Sequence, residues 1–145
     1  MTTSAVLFAC TMNAVRSPMA AALMRHIAPD TMFVASAGVQ AGALDPLAVE
    51  AMEEIGLKIG QHTPRRFEDL EDGSFDLVIT LSPEAQHKAV ELTRTAATQV
   101  EYWPTIDPTA VEGSREQRLA AYRAVRDQLL ERLKQRFSGF SAANS

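Results

Sequence analysis

Short apolar runs alternate along this chain with longer segments whose apolar positions recur at helical spacing. Residues 4–9 form a compact apolar run ending in turn chemistry, the pattern of a buried strand. Met19 to Ile27 is rich in Ala, Leu and Met and predicts a helix, with Ser17 as N-cap and Pro18 in the first turn. Pro29-Asp30 ends it. Met32–Ala37 reads as a second short strand, broken by Gly38. Asp45-Pro46 then caps a helix over Leu47–Ile55, and Gly56 is its stop. Residues 57–66 are irregular and basic, and Phe67–Leu70 reads as one helical turn.

Phe75–Leu81 predicts the third strand, and Ser82-Pro83-Glu84 opens a helix with an acidic residue at its positive end. Val100–Trp103 reads as a fourth, shorter strand, and residues 104–113 as a loop. From Ser114 to Phe137, the apolar positions Leu119, Tyr122, Val125, Leu129, Leu130 and Leu133 give a long helix. Strands alternating with helices predict an α/β fold: a single-domain three-layer sandwich, with a four-stranded parallel sheet and helices on both faces. Ligands of such sheets bind at the carboxyl ends of the strands, at a topological switch point. Cys10 falls at the carboxyl end of the first strand.

Composition narrows the function classes. The chain has 145 residues, 46% hydrophobic and 22% charged, and a formal charge of −4. That is enough chain for one domain with a real core, and the acidic balance argues against nucleic-acid binding. The domain is expected over residues 1–138, with 139–145 a small, polar, frayed tail. The only cysteine cannot form an internal disulfide, which fits a reducing compartment. No leader pattern and no long apolar stretch is visible, so a cytoplasmic protein without membrane attachment is expected.

The residues after the first strand carry chemistry. A loop running into a helix N-terminus offers backbone N–H groups and partial positive charge, which suits a tetrahedral oxyanion. In Thr11-Met12-Asn13-Ala14-Val15-Arg16-Ser17, Arg16 adds a planar two-pronged contact to two such oxygens. The same positive surroundings favour a Cys10 thiolate, a nucleophile toward phosphorus or arsenic. Ser17 is placed to donate its hydroxyl to that thiolate. Asn13 tolerates the left-handed backbone that a tight anion loop demands.

Asp107-Pro108 offers a carboxyl group that protonates a leaving oxygen and then activates water; it is also an ordinary turn-forming pair. Tyr102 and Trp103 either wall the pocket or cap the core. His62 either buttresses the loop through Asn13 or Ser36 or lies on the surface, where His26 and His87 are expected. One cysteine leaves no His/Cys grouping with metal-ligand spacing, and no Gly-rich nucleotide motif appears. Neither a metal nor a cofactor is expected.

With these residues assembled, the chain resembles the low-molecular-weight protein tyrosine phosphatase family. The family signature, Cys-x5-Arg-Ser after an N-terminal strand, is matched by Cys10 and Arg16-Ser17. The family's Asp-Pro acid is matched by Asp107-Pro108. Ser36-Ala37-Gly38, His62 and Phe75-Asp76 follow the family's landmarks in order. The resemblance implies a phosphomonoesterase, a protein-tyrosine phosphatase, with catalytic Cys10, Arg16 and Asp107. Residues 11–17 would bind the substrate phosphate, with Ser36 and His62 in support. It implies a phosphocysteine intermediate and no metal. The partner would be a phosphorylated protein or small phosphoester, with phosphate, sulfate or arsenate as the anions bound.

The second half is also similar to the thioredoxin-coupled arsenate reductases of the same superfamily. Those pass a disulfide between three cysteines, and the second position is Ser82 here. A single-cysteine arsenate reductase using an external thiol is therefore one alternative. A catalytically weak phosphate-binding regulatory module is the other. Four departures from the family pattern bear on this choice: Met12 stands where Gly is usual, Val15 where many members carry a second loop cysteine, Ala21 where potassium-binding reductases place Glu, and Thr109 where a tyrosine often follows the Asp-Pro pair.

Overall fold

A computed structural model describes residues 5–28, 30–70, 74–94 and 97–137. Four strands, β1 (Ala5–Cys10), β2 (Phe33–Gly38), β3 (Leu77–Thr80) and β4 (Gln99–Tyr102), alternate with four helices. These are α1 (Arg16–Ile27), α2 (Pro46–Glu53), α3 (Pro83–Leu92) and α4 (Arg115–Arg136), with 3-10 turns at Phe67–Asp69 and Pro108–Ala110. Every strand pair is parallel, in the order β2-β1-β3-β4. The chain moves outward from β1 in both directions, which makes the β1/β3 crevice the switch point of the sheet.

α1, α2 and α4 cover one face, and their buried Met19, Leu23, Met52, Leu129 and Leu133 pack with Val6, Phe8 and Ile79. α3 covers the other face, where Ala85 and Ala89 meet Leu7, Ala9 and Val78. β1 lies between β2 and β3 under both layers, so every residue from Val6 to Cys10 is buried. That explains why the run is apolar at successive positions rather than alternating. Full burial of one such Leu, Ile or Phe side chain stabilises the fold by roughly 1.5–3 kcal/mol.

Charged pairs tie α2 to α4. Arg123 and Arg126 both reach Glu54, and Arg126 also donates to the carbonyl of Ala51 at 2.7 Å. The Arg123 hydrogen bonds hold the Glu54 carboxyl down at about 2.

Several boundaries differ from those read in the sequence. Gly38 does not break the second strand but ends it, paired with Cys10. The glycine is needed for close approach: a Cβ there would lie 2.5 Å from the Gln40 carbonyl oxygen and 2.7 Å from the Asn13 nitrogen. Ser17 is not an N-cap. α1 begins at Arg16 after Val15, without a side-chain cap, because the Ser17 hydroxyl is drawn to Cys10 instead.

β4 is Gln99–Tyr102, and Trp103 lies just beyond it, buried beneath the Arg132 guanidinium. Trp103 is therefore a core residue, while Tyr102 is exposed. α2 stops at Glu53, and Gly56 at φ 81° closes the end as the glycine pattern predicts. Ser4, Pro29 and the tail from 139 onward lie outside the described residues.

Candidate active site

The loop between β1 and α1 is held by its own carbonyls. The carbonyls of Cys10, Thr11, Met12 and Ala14 accept from the N–H groups of Val39, Gln40, Gly42 and Asp45 at 2.9–3.2 Å. Among the described residues no peptide bond is cis. In a trans peptide the N–H points opposite to the preceding C=O. The N–H groups of Thr11, Met12, Asn13 and Val15 therefore face away from residues 39–45. The first-turn amides of Arg16 and Ser17 also carry no side-chain cap.

Asn13 is the pivot. It sits at φ 51°, the one described non-glycine residue with positive φ, and is fully buried. The Arg65 backbone N–H lies 2.9 Å from Asn13 Oδ1 and can only donate, which fixes the amide orientation. Asn13 Nδ2 then donates to Ser17 Oγ at 2.8 Å and to Ser36 Oγ at 3.0 Å. Oδ1 also accepts from His62 Nε2 at 2.9 Å. His62 must therefore carry its proton on Nε2. Partial burial, and then the nearby Arg65 charge, push His62 below the ordinary imidazole range, so it is neutral at pH 7.

Ser17 completes a proton relay. Its oxygen already accepts from Asn13, so its own hydrogen has two destinations: Cys10 Sγ at 2.9 Å or the Ala37 carbonyl at 3.3 Å. A Cys10 thiolate takes that hydrogen bond. A neutral thiol donates to Ser17 instead, and Ser17 turns to Ala37.

Arg16 is buried and fixed by carbonyls from two other loops, Leu81 at 3.4 Å and Thr105 at 3.0 Å. Its free Nη2 lies 3.9 Å from Asp107 Oδ2. Asp107 Oδ1 accepts from the Thr109 N–H at 3.0 Å and the Thr109 hydroxyl at 2.7 Å. Asp107 thus caps a 3-10 turn with one oxygen and leaves the other beside Arg16. The turn-forming reading and the functional reading of this Asp-Pro pair describe the same residue.

Cys10, Met12, Arg16, Asp45, Asp107 and Thr109 are among the residues around a cleft of about 200 Å³ at the carboxyl end of the sheet. Ala14 and Val15 line it too, whereas Tyr102 does not. Met12 does not disturb the loop: its backbone avoids positive φ, and its side chain lies against Gly42 at the cleft. Thr11 Oγ1 lies 3.0 Å from both Ser82 Oγ and Glu84 Oε1, tying the loop to the start of α3. Ser82 is buried and caps that helix.

The contacts made here by Arg65, Thr105 and the Thr109 hydroxyl were not read from the sequence. Arg65 and Thr105 act through backbone atoms, which leave no mark on residue type. Thr109 did leave one, since a hydroxyl two residues after an Asp suits such a turn. Among the described residues, no group of three or more His, Cys, Asp or Glu is placed to hold a metal ion. No described helix is long and apolar enough to cross a membrane.

Comparison with known proteins bears on this site. The family model for low molecular weight phosphotyrosine protein phosphatase matches residues 5–143. An arsenate reductase of Shouchella clausii is 38% identical over 130 residues, covering 89% of this chain and 91% of its own. Among solved structures, an arsenate reductase in its phosphate-binding state has TM-score 0.72 at 28% identity, covering 94% of this chain and 98% of its own. The arginine phosphatase YwlE, as a cysteine-to-serine mutant with a phosphorylated active-site serine, has TM-score 0.71 at 28% identity, with 90% and 91% covered.

Proposed function

Since the chain belongs to the low molecular weight phosphotyrosine protein phosphatase family, we propose that it hydrolyses phosphate monoesters through a phosphorylated Cys10, with phosphotyrosine in a protein as the substrate class. The observation that carries this reading is the 2.9 Å contact between Cys10 Sγ and Ser17 Oγ, in a cleft that Arg16 and Asp107 share. In the first step the Cys10 thiolate attacks phosphorus and the bond to the ester oxygen breaks. Asp107 protonates that oxygen as it leaves. Arg16 and the loop N–H groups of residues 11–17 hold the other phosphate oxygens. In the second step Asp107 takes a proton from water, the water oxygen attacks phosphorus, and the S–P bond breaks. Ser17 donates to the returning thiolate. His62 and Ser36 act on Asn13 and position the loop. A cytoplasmic setting keeps the lone thiol reduced.

The acid role of Asp107 has a specific test. Asp107→Asn is expected to lower kcat/KM for phenyl phosphate, which reports only the steps up to departure of the phenol, on the order of 10²-fold or more. The loss should be smaller for p-nitrophenyl phosphate, whose phenolate leaves without a proton. Equal losses on both substrates contradict the assignment.

A second reading is favoured by the 38% identity to an arsenate reductase. With one cysteine in the chain, the two electrons must come from two external thiols, which leave as a disulfide while arsenate becomes arsenite and water. Arsenite formation with glutathione or mycothiol, with and without glutaredoxin, tests it. Arylphosphatase turnover with no arsenite under any of these conditions removes this reading.

A further inference from the structure

Behind the phosphate loop lies a second and larger cavity, of about 410 Å³. Its volume falls in the range of small-molecule sites, roughly 300–1,000 Å³. Arg25, His26, Lys58 and His62 supply its polar lining, over a floor that includes Ala22 and Ile59. No carboxylate lines it. Arg65 lies close enough to repel the charged forms of both Arg25 and His62.

This clustering of positive charge runs against the rest of the chain, whose formal charge is −4. Elsewhere among the described residues, Arg16, Arg66, Lys88, Arg115, Arg123, Arg126 and Arg136 each face an Asp or Glu, while Arg94, Arg118, Arg132 and Lys134 are exposed to solvent. Among the described residues, no Asp or Glu pairs with Arg25, Lys58 or Arg65. Arg25 spends one N–H on the Val34 carbonyl at 2.9 Å, which aims the guanidinium without neutralising it. Like charges gathered around a concave surface without counter-charges cost energy, and an anion in the cavity relieves that cost.

We infer that this cavity is a second anion site, built for a polyvalent phosphate anion and held by Arg25, Lys58 and the two histidines, with the Arg65 charge nearby. It is distinct from the Cys10 cleft, because the two share no lining residue. It is nonetheless wired to the loop. His62 lines the cavity with its ring and donates from Nε2 to Asn13 Oδ1 at 2.9 Å. An anion beside the ring favours the imidazolium and strengthens that donor, so occupancy of the cavity is felt at the residue that shapes the loop.

The test is a ¹H–¹⁵N NMR titration of the full reduced chain with inorganic pyrophosphate, comparing wild type with Lys58→Ala. Lys58 is exposed on an irregular segment, so its truncation leaves the fold in place. The wild type is expected to show two sets of shifts with separate Kd values, one over residues 10–17 and one over residues 57–62. Lys58→Ala should weaken the second Kd about tenfold, the scale of one charge-assisted contact, and leave the first unchanged. Lys58→Arg should restore it. Shifts confined to residues 10–17, or a second Kd that ignores Lys58→Ala, overturn the inference. The readout is binding rather than turnover, so it is independent of the phosphatase reading.

Discussion

Cys10→Ser is expected to lower kcat for aryl phosphates on the order of 10⁴-fold or more, the scale on which a covalent nucleophile matters. Phosphate binding should change by no more than about threefold, because the groups proposed to hold the anion remain. The prediction follows from two properties of sulfur at this position. A thiol gives up its proton far more readily than a serine hydroxyl does. It also departs far more readily from phosphorus in the second step, helped by the Ser17 hydroxyl 2.9 Å away. Cys10 is almost fully buried at the end of a central strand, so Ser fits there without moving the backbone. Steady-state kinetics together with a phosphate inhibition constant separate the two effects. A variant that retains more than about a tenth of wild-type kcat contradicts a nucleophilic role.

The second large effect is on stability as well as rate. Asn13→Ala removes two donated and two accepted hydrogen bonds. It leaves the half-buried Arg65 N–H without its acceptor, and it puts Ala at φ 51°. At about 1 kcal/mol for each hydrogen bond, and roughly 1–2 kcal/mol for the left-handed backbone, the expected loss is about 5–6 kcal/mol of unfolding free energy. Urea denaturation measures it. Asn13→Gly removes the same hydrogen bonds but keeps the backbone conformation accessible, so it should lie between Ala and wild type. An Asn13→Ala protein within about 1 kcal/mol of wild type would show that the buried amide network contributes little.

Much of this arrangement was legible in the residues. Buried runs such as Val6–Ala9 and Leu77–Thr80 announce strands of a parallel sheet because both of their faces are covered. The Ala-Leu-Met stretch after Pro18 announces a helix by propensity alone. Asn13 was readable as left-handed because few non-glycine side chains tolerate that conformation. What misled was local chemistry overridden by tertiary partners. Ser17 has the sidechain of an N-cap, but Cys10 and Asn13 claim its hydroxyl. Gly38 looks like a strand breaker, yet its bareness lets residues 12 and 13 pass close by. Trp103 looks equally suited to a pocket wall, and it is a core residue because the ladder from Thr80 turns it inward.

What stayed invisible acts through backbone atoms or over long separations. The Arg16 guanidinium is fixed by the carbonyl of Thr105, 89 residues away. Asn13 is oriented by the N–H of Arg65, 52 residues away. Neither contact depends on the identity of the side chain that supplies it. The cavity at Arg25, Lys58 and His62 was visible only in part. Residues 57–66 read as basic and irregular, but their convergence with α1 belongs to the fold.

Rapid-quench mass spectrometry during turnover of p-nitrophenyl phosphate tests the phosphocysteine most directly, with Asp107→Asn included to slow the hydrolytic step. A single added phosphoryl group is expected on the peptide that contains Cys10, accumulating in Asp107→Asn. A phosphoryl group on any other residue, or full turnover with none detected on Cys10 in either protein, would contradict it.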